Sequence, residues 1–261
     1  MKKFLAICLV LVTVLAIALP SVVLASNTGT AGVSGDVAPV PVLTSISTTS
    51  GTPHATGGGV VDVSETLTGS SFDTDPTAVV TVTITGTGVT ADTVAVSNST
   101  TITATFHLAA GSTTTSGVRD VYVHQSGRDS VNTVTFTVNG YIAITAPSGI
   151  SMGVMSVGVT TTKSSTTPGT VETNDASTSV SATDAKASHA GKMDTVGDGS
   201  GTLLTDAFQI SQTNGSYANA DSGFSYTNPT SLPFYVSQQV VSGDTAGSYQ
   251  ITITFVGSAN N

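Results

Sequence analysis

Two short segments carry carboxylates in a pattern that suits a hard cation. Asp73-Thr74-Asp75 sets two carboxylates two residues apart, and Asp194-Thr195-Val196-Gly197-Asp198-Gly199-Ser200-Gly201 mixes acids with glycines that let backbone carbonyls converge. Calcium takes roughly six to eight oxygen ligands in flexible loops. Asp73, Asp75, Asp194 and Asp198 are therefore the candidate Ca2+ ligands. Neither segment has the D-x-[DN]-x-[DN]-G spacing or the closing Glu of an EF-hand, and Asp and Gly are also ordinary turn residues, so a solvated hairpin tip stays open as the alternative. A second pattern is aromatic. Tyr217, Phe224 and Tyr226 cluster in a Gly/Ser/Asn-rich segment where rings could form a platform for a sugar, with a core or turn role as the other reading.

Other chemistry is hard to assemble from these residues. His54, His107, His124 and His189 lie in four unrelated segments, none with a second His or Cys at metal-ligand spacing. Gly149-Ile150-Ser151-Met152-Gly153 has the letters of a Gly-x-Ser-x-Gly nucleophile elbow, which needs a strand before it and a helix after it, but this segment follows Pro147 and runs into a Thr/Ser-rich stretch from Gly158. A carboxylate pair for glycoside hydrolysis would need a cleft with aromatic walls, and aromatics are 5% with no Trp. The chain reads as no enzyme. Sixteen acidic against seven basic residues also argue against a nucleic-acid partner, since nothing gathers cations to meet phosphates.

The elements that would position these residues are strands. The 47 threonines mostly alternate with aliphatic residues instead of clustering, as in Val80-Thr81-Val82-Thr83-Ile84-Thr85, Val134-Thr135-Phe136-Thr137-Val138 and Ile251-Thr252-Ile253-Thr254-Phe255. That is the period of a half-buried strand with a solvated Thr face. No segment past the leader sustains a helical period, and turn residues recur at roughly 8 to 12 residue intervals, which predicts an all-β protein of sandwich type. The length fits two β-sandwich domains in tandem, 38–139 and 140–261, joined with no flexible linker at Val138-Asn139-Gly140-Tyr141.

At the N-terminus, Met1-Lys2-Lys3, the apolar run from Phe4 to Leu19, Pro20 and Val23-Leu24-Ala25 have the layout of a signal peptide cleaved after Ala25. An uncleaved anchor is the competing reading. Cys8 sits inside the apolar run, so the mature chain has no cysteine, as fits a prokaryotic exported protein stabilised without disulfides. Residues 26–37 read as a loose arm. The residues after Phe255 include no apolar span and no Leu-Pro-x-Thr-Gly signal, so no membrane span is expected in the mature chain. Surface retention would come from binding or from self-assembly.

Pro41 to Gly51, Leu67 to Phe72, Val96 to Thr105, Asp120 to Val123 and Thr135 to Val138 follow in an order that resembles the IPT/TIG family of immunoglobulin-like modules, so the first domain is expected to be one. Pro41-Val42-Leu43-Thr44-Ser45-Ile46-Ser47-Thr48-Thr49-Ser50-Gly51 is similar to its opening strand and turn, Leu67-Thr68-Gly69-Ser70-Ser71-Phe72 to its strand ending in Gly-x-x-Phe, and Val96 to Thr105 to its next conserved strand. Asp120-Val121-Tyr122-Val123 and Thr135-Phe136-Thr137-Val138 resemble its closing hairpin. Thr48 stands where the family usually has Pro, and His54 to Val63 is longer than usual. In the second domain Ile142 to Pro147, Ser179 to Ala182, Leu232 to Val236 and Gly247 to Phe255 lie in an order that more loosely resembles β-sandwich modules of bacterial surface proteins, including the WxL type, whose tryptophans it lacks. The resemblance implies a spacer or interaction module.

The expected function is that of an exported, non-enzymatic cell-surface protein with a structural or adhesive role, self-assembling into a layer or filament in one version. The alternative is a carbohydrate-binding or accessory module of the cell envelope. The expected partners are accordingly a cell-surface component, a glycan or a second copy of the chain.

Overall fold

A computed structural model describes residues 39–197 and 200–259. The leader, Cys8, the arm and Asp198 lie outside the described residues. The first nine strands are β1 (Val42–Ile46), β2 (Ser50–Gly51), β3 (Val61–Ser70), β4 (Val80–Ile84), β5 (Val89–Asn98), β6 (Thr101–Leu108), β7 (Gly117–Gln125), β8 (Arg128–Asp129) and β9 (Val134–Val138). They form one sheet of order β1-β3-β6-β5 and a second of order β2-β9-β7-β4, with β8 paired to β7. Leu43, Leu67, Ile102, Phe106 and Leu108 from one sheet meet Val82, Val121, Val123, Phe136 and Val138 from the other in a single buried core. Phe106 and Phe136 make the central contact, with ring centroids 5.3 Å apart and planes at 86°.

Alternation places these side chains as the sequence predicts: in β4, Val82 and Ile84 are buried between less buried threonines. The opening segment changes sheets between β1 and β2, and a buried carboxylate holds the switch. Glu65 Oε2 accepts hydrogen bonds from Ser47 Oγ at 2.8 Å and Thr48 N at 2.9 Å, while Ser47 Oγ accepts one from Thr66 N. Thr48 matters here because a proline would remove that N–H. Gly69 is needed at the β1–β3 irregularity, where a Cβ would collide with the Val42 carbonyl oxygen and the Phe72 ring. The segment expected as one strand over Val96 to Thr105 is a hairpin instead. Asn98 Oδ1 accepts from Thr100 N and Oγ1, a side-chain-directed turn that ends β5 and starts β6.

The remaining strands are β10 (Ile142–Thr145), β11 (Thr160–Ser164), β12 (Gly169–Thr173), β13 (Thr178–Asp184), β14 (Gln209–Ser211), β15 (Ala218–Asn219), β16 (Phe224–Thr227), β17 (Ser231–Leu232), β18 (Tyr235–Gln239) and β19 (Ile253–Ala259). They form three sheets, β10-β12-β17, β11-β18-β14-β15 and β16-β13-β19, around a core that includes Val180, Ala182, Phe208, Ile210, Leu232 and Val236. The closing strand starts two residues later than its alternation suggests and runs on through Gly257, whose bare backbone admits the Ile142 and Ile144 side chains. A 3-10 turn, Ala187–His189, is the one helical element among the described residues. The protein is all-β. No helix among the described residues is long and apolar enough to cross a membrane.

The strand pairings stay within 42–138 or within 142–259, and the two cores share no residue, yet Ala38–Asn261 is one compact unit. What unites it is a hydrogen-bonded seam. Glu172 Oε1 accepts from Thr56 N at 2.7 Å, Thr56 Oγ1 at 2.8 Å and Tyr141 Oη at 2.6 Å. Asn174 Nδ2 donates to the carbonyls of Thr114 and Asn139, its Oδ1 accepts from Tyr141 N, and its own carbonyl accepts from Ser116 N.

Candidate functional site

Asp73 and Asp75 sit in the loop before β4. Gln125, fully buried, fixes that loop: its Oε1 accepts from Asp73 N and its Nε2 donates to the carbonyls of Ser71 and Pro39. Asp73 Oδ1 accepts from Asp75 N, and Asp75 Oδ1 accepts from Thr77 N and Oγ1. The Thr77 backbone N–H, with its hydroxyl, holds the Asp75 carboxyl below the usual range. These carboxylates are thus engaged in shaping turns.

Asp194 belongs to the second half and does not meet them. It is fully buried, and its carboxylate accepts from the N–H groups of Val196, Gly197 and Gly201. Donors of that kind occupy the lone pairs a cation would need. Among the described residues no three His, Cys, Asp or Glu side chains gather as a metal site.

The aromatic segment divides. Tyr226 is buried and donates to the Pro233 carbonyl, with burial pushing its phenol pKa well up. Phe224 packs against it with centroids 5.0 Å apart and stacks on Phe234. Phe224 and Tyr226 therefore face the core. Tyr217 alone is placed toward solvent, half-buried, with its hydroxyl donating to Asn214 Oδ1. Ser151 of the elbow-like pentapeptide is exposed, in a segment with no strand between β10 and β11.

The histidines prove more structured than their scattered positions imply. His107, in β6, lies between Asp62 of β3 and Asp92 of β5, with Nδ1 2.6 Å from Asp62 Oδ1 and Nε2 2.7 Å from Asp92 Oδ1. The Asp92 carboxylate, then that of Asp62, raises the imidazole pKa above its ordinary value. His124 Nδ1 is 2.8 Å from Asp129 Oδ1. His189 is fully buried: Nδ1 donates to Asp184 Oδ1 at 2.8 Å and Nε2 faces Asp194 Oδ2 at 3.8 Å. Sequence reasoning missed this trio, although the even five-residue spacing of Asp184, His189 and Asp194 was there to be read.

At the seam, the Tyr141 hydroxyl and then Thr56 hold the Glu172 carboxyl below its usual value against the opposing pull of burial. Burial, with the Glu172 contact, raises Tyr141. A depressed folded pKa makes the seam's contribution fully present above the unfolded value near 4.5 and lost as pH falls through the folded one. Scattering profiles of the chain are expected to stay constant from pH 8 to 5 and to broaden below about pH 4. Glu172→Gln is expected to show the broadened profile already at neutral pH.

No family model and no curated protein matches the chain. Solved structures overlap it weakly. The Yersinia pseudotuberculosis adhesin InvE is 15% identical at TM-score 0.34, over 82% of this chain and 58% of that one, so the chain spans a little over half its length. InvD of the same organism is 14% identical at TM-score 0.34, over 86% of this chain and 68% of that one. The C-terminal domain of the Streptococcus agalactiae AgI/II polypeptide BspA is 10% identical at TM-score 0.23, over 85% and 96% respectively. The all-β assignment rests on the strands themselves.

Proposed function

We infer that this chain is a non-enzymatic protein of a prokaryotic cell surface, exported by its N-terminal leader and acting in structure or adhesion. In this reading 38–139 is an immunoglobulin-like module of the IPT/TIG kind and 140–261 a second sandwich. The observation that carries it is the seam: Glu172 and Asn174 tie two β cores together without a linker, which suits a spacer that must hold a fixed distance. Low charge and exposed Thr faces suit the same role.

The test is retention of fluorescent mature chain, starting at Ser26, on isolated prokaryotic envelopes, alongside a panel of ester, peptide and glycoside substrates. Saturable retention without turnover is expected. Turnover that Ser151→Ala abolishes would overturn the reading.

The self-assembling version predicts large species by light scattering, strengthened by Ca2+ if the aspartate loops contribute, and lost on deleting 26–37. The deletion stops at Val37 because the Pro39 and Pro41 carbonyls accept from Gln125 Nε2 and Val131 N and so belong to the sandwich. A monomer with and without Ca2+ would remove that version and leave adhesion. The glycan-binding alternative rests on Tyr217, the only ring of its trio turned away from the core.

A further inference from the structure

The second half holds a cleft of about 900 Å³. Its walls are the strand-free segment 146–157, the inward residues Ile253 and Phe255 of β19, Phe234 and Val236 beside them, and Phe208 and Met193 below. The volume lies toward the upper end of the roughly 300–1,000 Å³ of small-molecule sites. The chain has four methionines, and all three after Met1, namely Met152, Met155 and Met193, line this cleft. Such a concentration is chemically specific: the thioether is apolar and polarizable, and its unbranched chain adapts to ligands of differing shape. Val154, wholly exposed, and Val157 stand on the same lining, so apolar surface continues from the interior to solvent.

Charge decides what the cleft accepts. Among the described residues Asp244 is the one charged residue on the lining. Its Oδ1 accepts from Thr205 N and Oγ1 and its Oδ2 from Val241 N. Burial favours its neutral form, but those hydrogen bonds and Lys192 outweigh it and hold the carboxyl below the usual range. Two polar side chains of the lining are engaged within the protein: Tyr249 Oη donates to the Thr245 carbonyl and Gln250 Nε2 to that of Val196. Among its described residues the lining mixes apolar side chains with serines and backbone amides, and it holds no cation and one anion already bonded. A carboxylate ligand would meet the Asp244 charge with no cation on that lining to offset it, whereas an uncharged one would meet no such repulsion.

We propose that this cleft is a binding site for a neutral apolar small molecule, of the size of a medium-chain alcohol, and that it discriminates against the corresponding acid. The proposal is independent of the surface role inferred above. The probe is N-phenyl-1-naphthylamine, titrated into the mature chain at pH 8, with 1-decanol and decanoate as competitors below their micellar concentrations. Saturable one-to-one fluorescence enhancement is expected, displaced by decanol at a concentration at least tenfold below that needed for decanoate. Met155→Trp, which fills the cleft, is expected to weaken probe binding at least tenfold with the unfolding midpoint retained. If Met155→Trp does not fold, Val154→Asp at the exposed mouth is the substitute, with weakened binding again expected.

No saturable enhancement in folded protein would overturn the proposal, as would undiminished binding in the folded variants. Equal displacement by acid and alcohol would overturn its charge selectivity. Probe binding that appears only as a dimer dissociates on dilution would assign the cleft to a second copy of the chain, and so would also overturn it.

Discussion

His189→Ala is expected to destabilise the second half by about 3–5 kcal/mol, since truncation opens a cavity and leaves buried Asp184 without its side-chain partner. The imidazole is wholly enclosed between Asp184 and Asp194. The cost should fall toward the lower end of that range, because both carboxylates keep backbone donors: Lys186 N and Gly191 N for Asp184, and Val196, Gly197 and Gly201 N–H groups for Asp194. Denaturant unfolding followed by hydrogen exchange locates the effect. Exchange is expected to rise first across 184–203, which the two carboxylates organise, while β3, β6 and β9 of the first half stay protected. Unchanged stability would mean that the trio contributes no more than its hydrogen bonds to backbone. His189→Gln, which keeps a donor of similar reach for Asp184, is expected to recover part of the loss.

Phe106→Ala is expected to cost a comparable amount, about 3–5 kcal/mol. Phe106 has no exposed surface and meets Phe136 edge to face at the centre of the first core, so truncation leaves a cavity whose walls come from two sheets that cannot close on it. Exchange should accelerate in β3, β6 and β9 while β13 and β19 keep their protection, because the two cores share no residue. Equal acceleration in both halves would show that the seam couples them into one cooperative unit, and would count against two independent domains.

The strands were legible where alternation is clean. Val80–Ile84 and Val134–Val138 appear as the pattern places them, since a period of two leaves each aliphatic residue only one face to occupy. Alternation says nothing of where a side chain turns the backbone, so the Asn98–Thr100 turn within Val96 to Thr105 went unread. Site residues were less legible still. Phe224 and Tyr226 stand two apart in a strand, which fixes a shared face but not whether that face is inward; Phe234, which stacks on Phe224 and in turn meets Phe255 of β19, decides it. Aspartates in Gly-rich loops look alike whether they hold a cation or collect N–H groups. Only folded geometry reveals the donors around Asp194. The cleft was hidden for the same reason: Met152 and Met155 precede Met193 by about 40 residues and meet it only through the β10–β19 half of the fold.

The seam also sets how the chain would respond to tension. Only residues 139–141 separate β9 from β10, and three residues fully extended reach roughly 10 Å. A pull along the chain therefore finds almost no slack between the halves. Once the Glu172 and Asn174 contacts part, force passes directly into the terminal strands of each half, and further lengthening requires a sheet to unravel. Such a joint is stiff at small extension and then yields in large steps, which favours keeping a bound surface at constant distance under flow over absorbing the strain gradually.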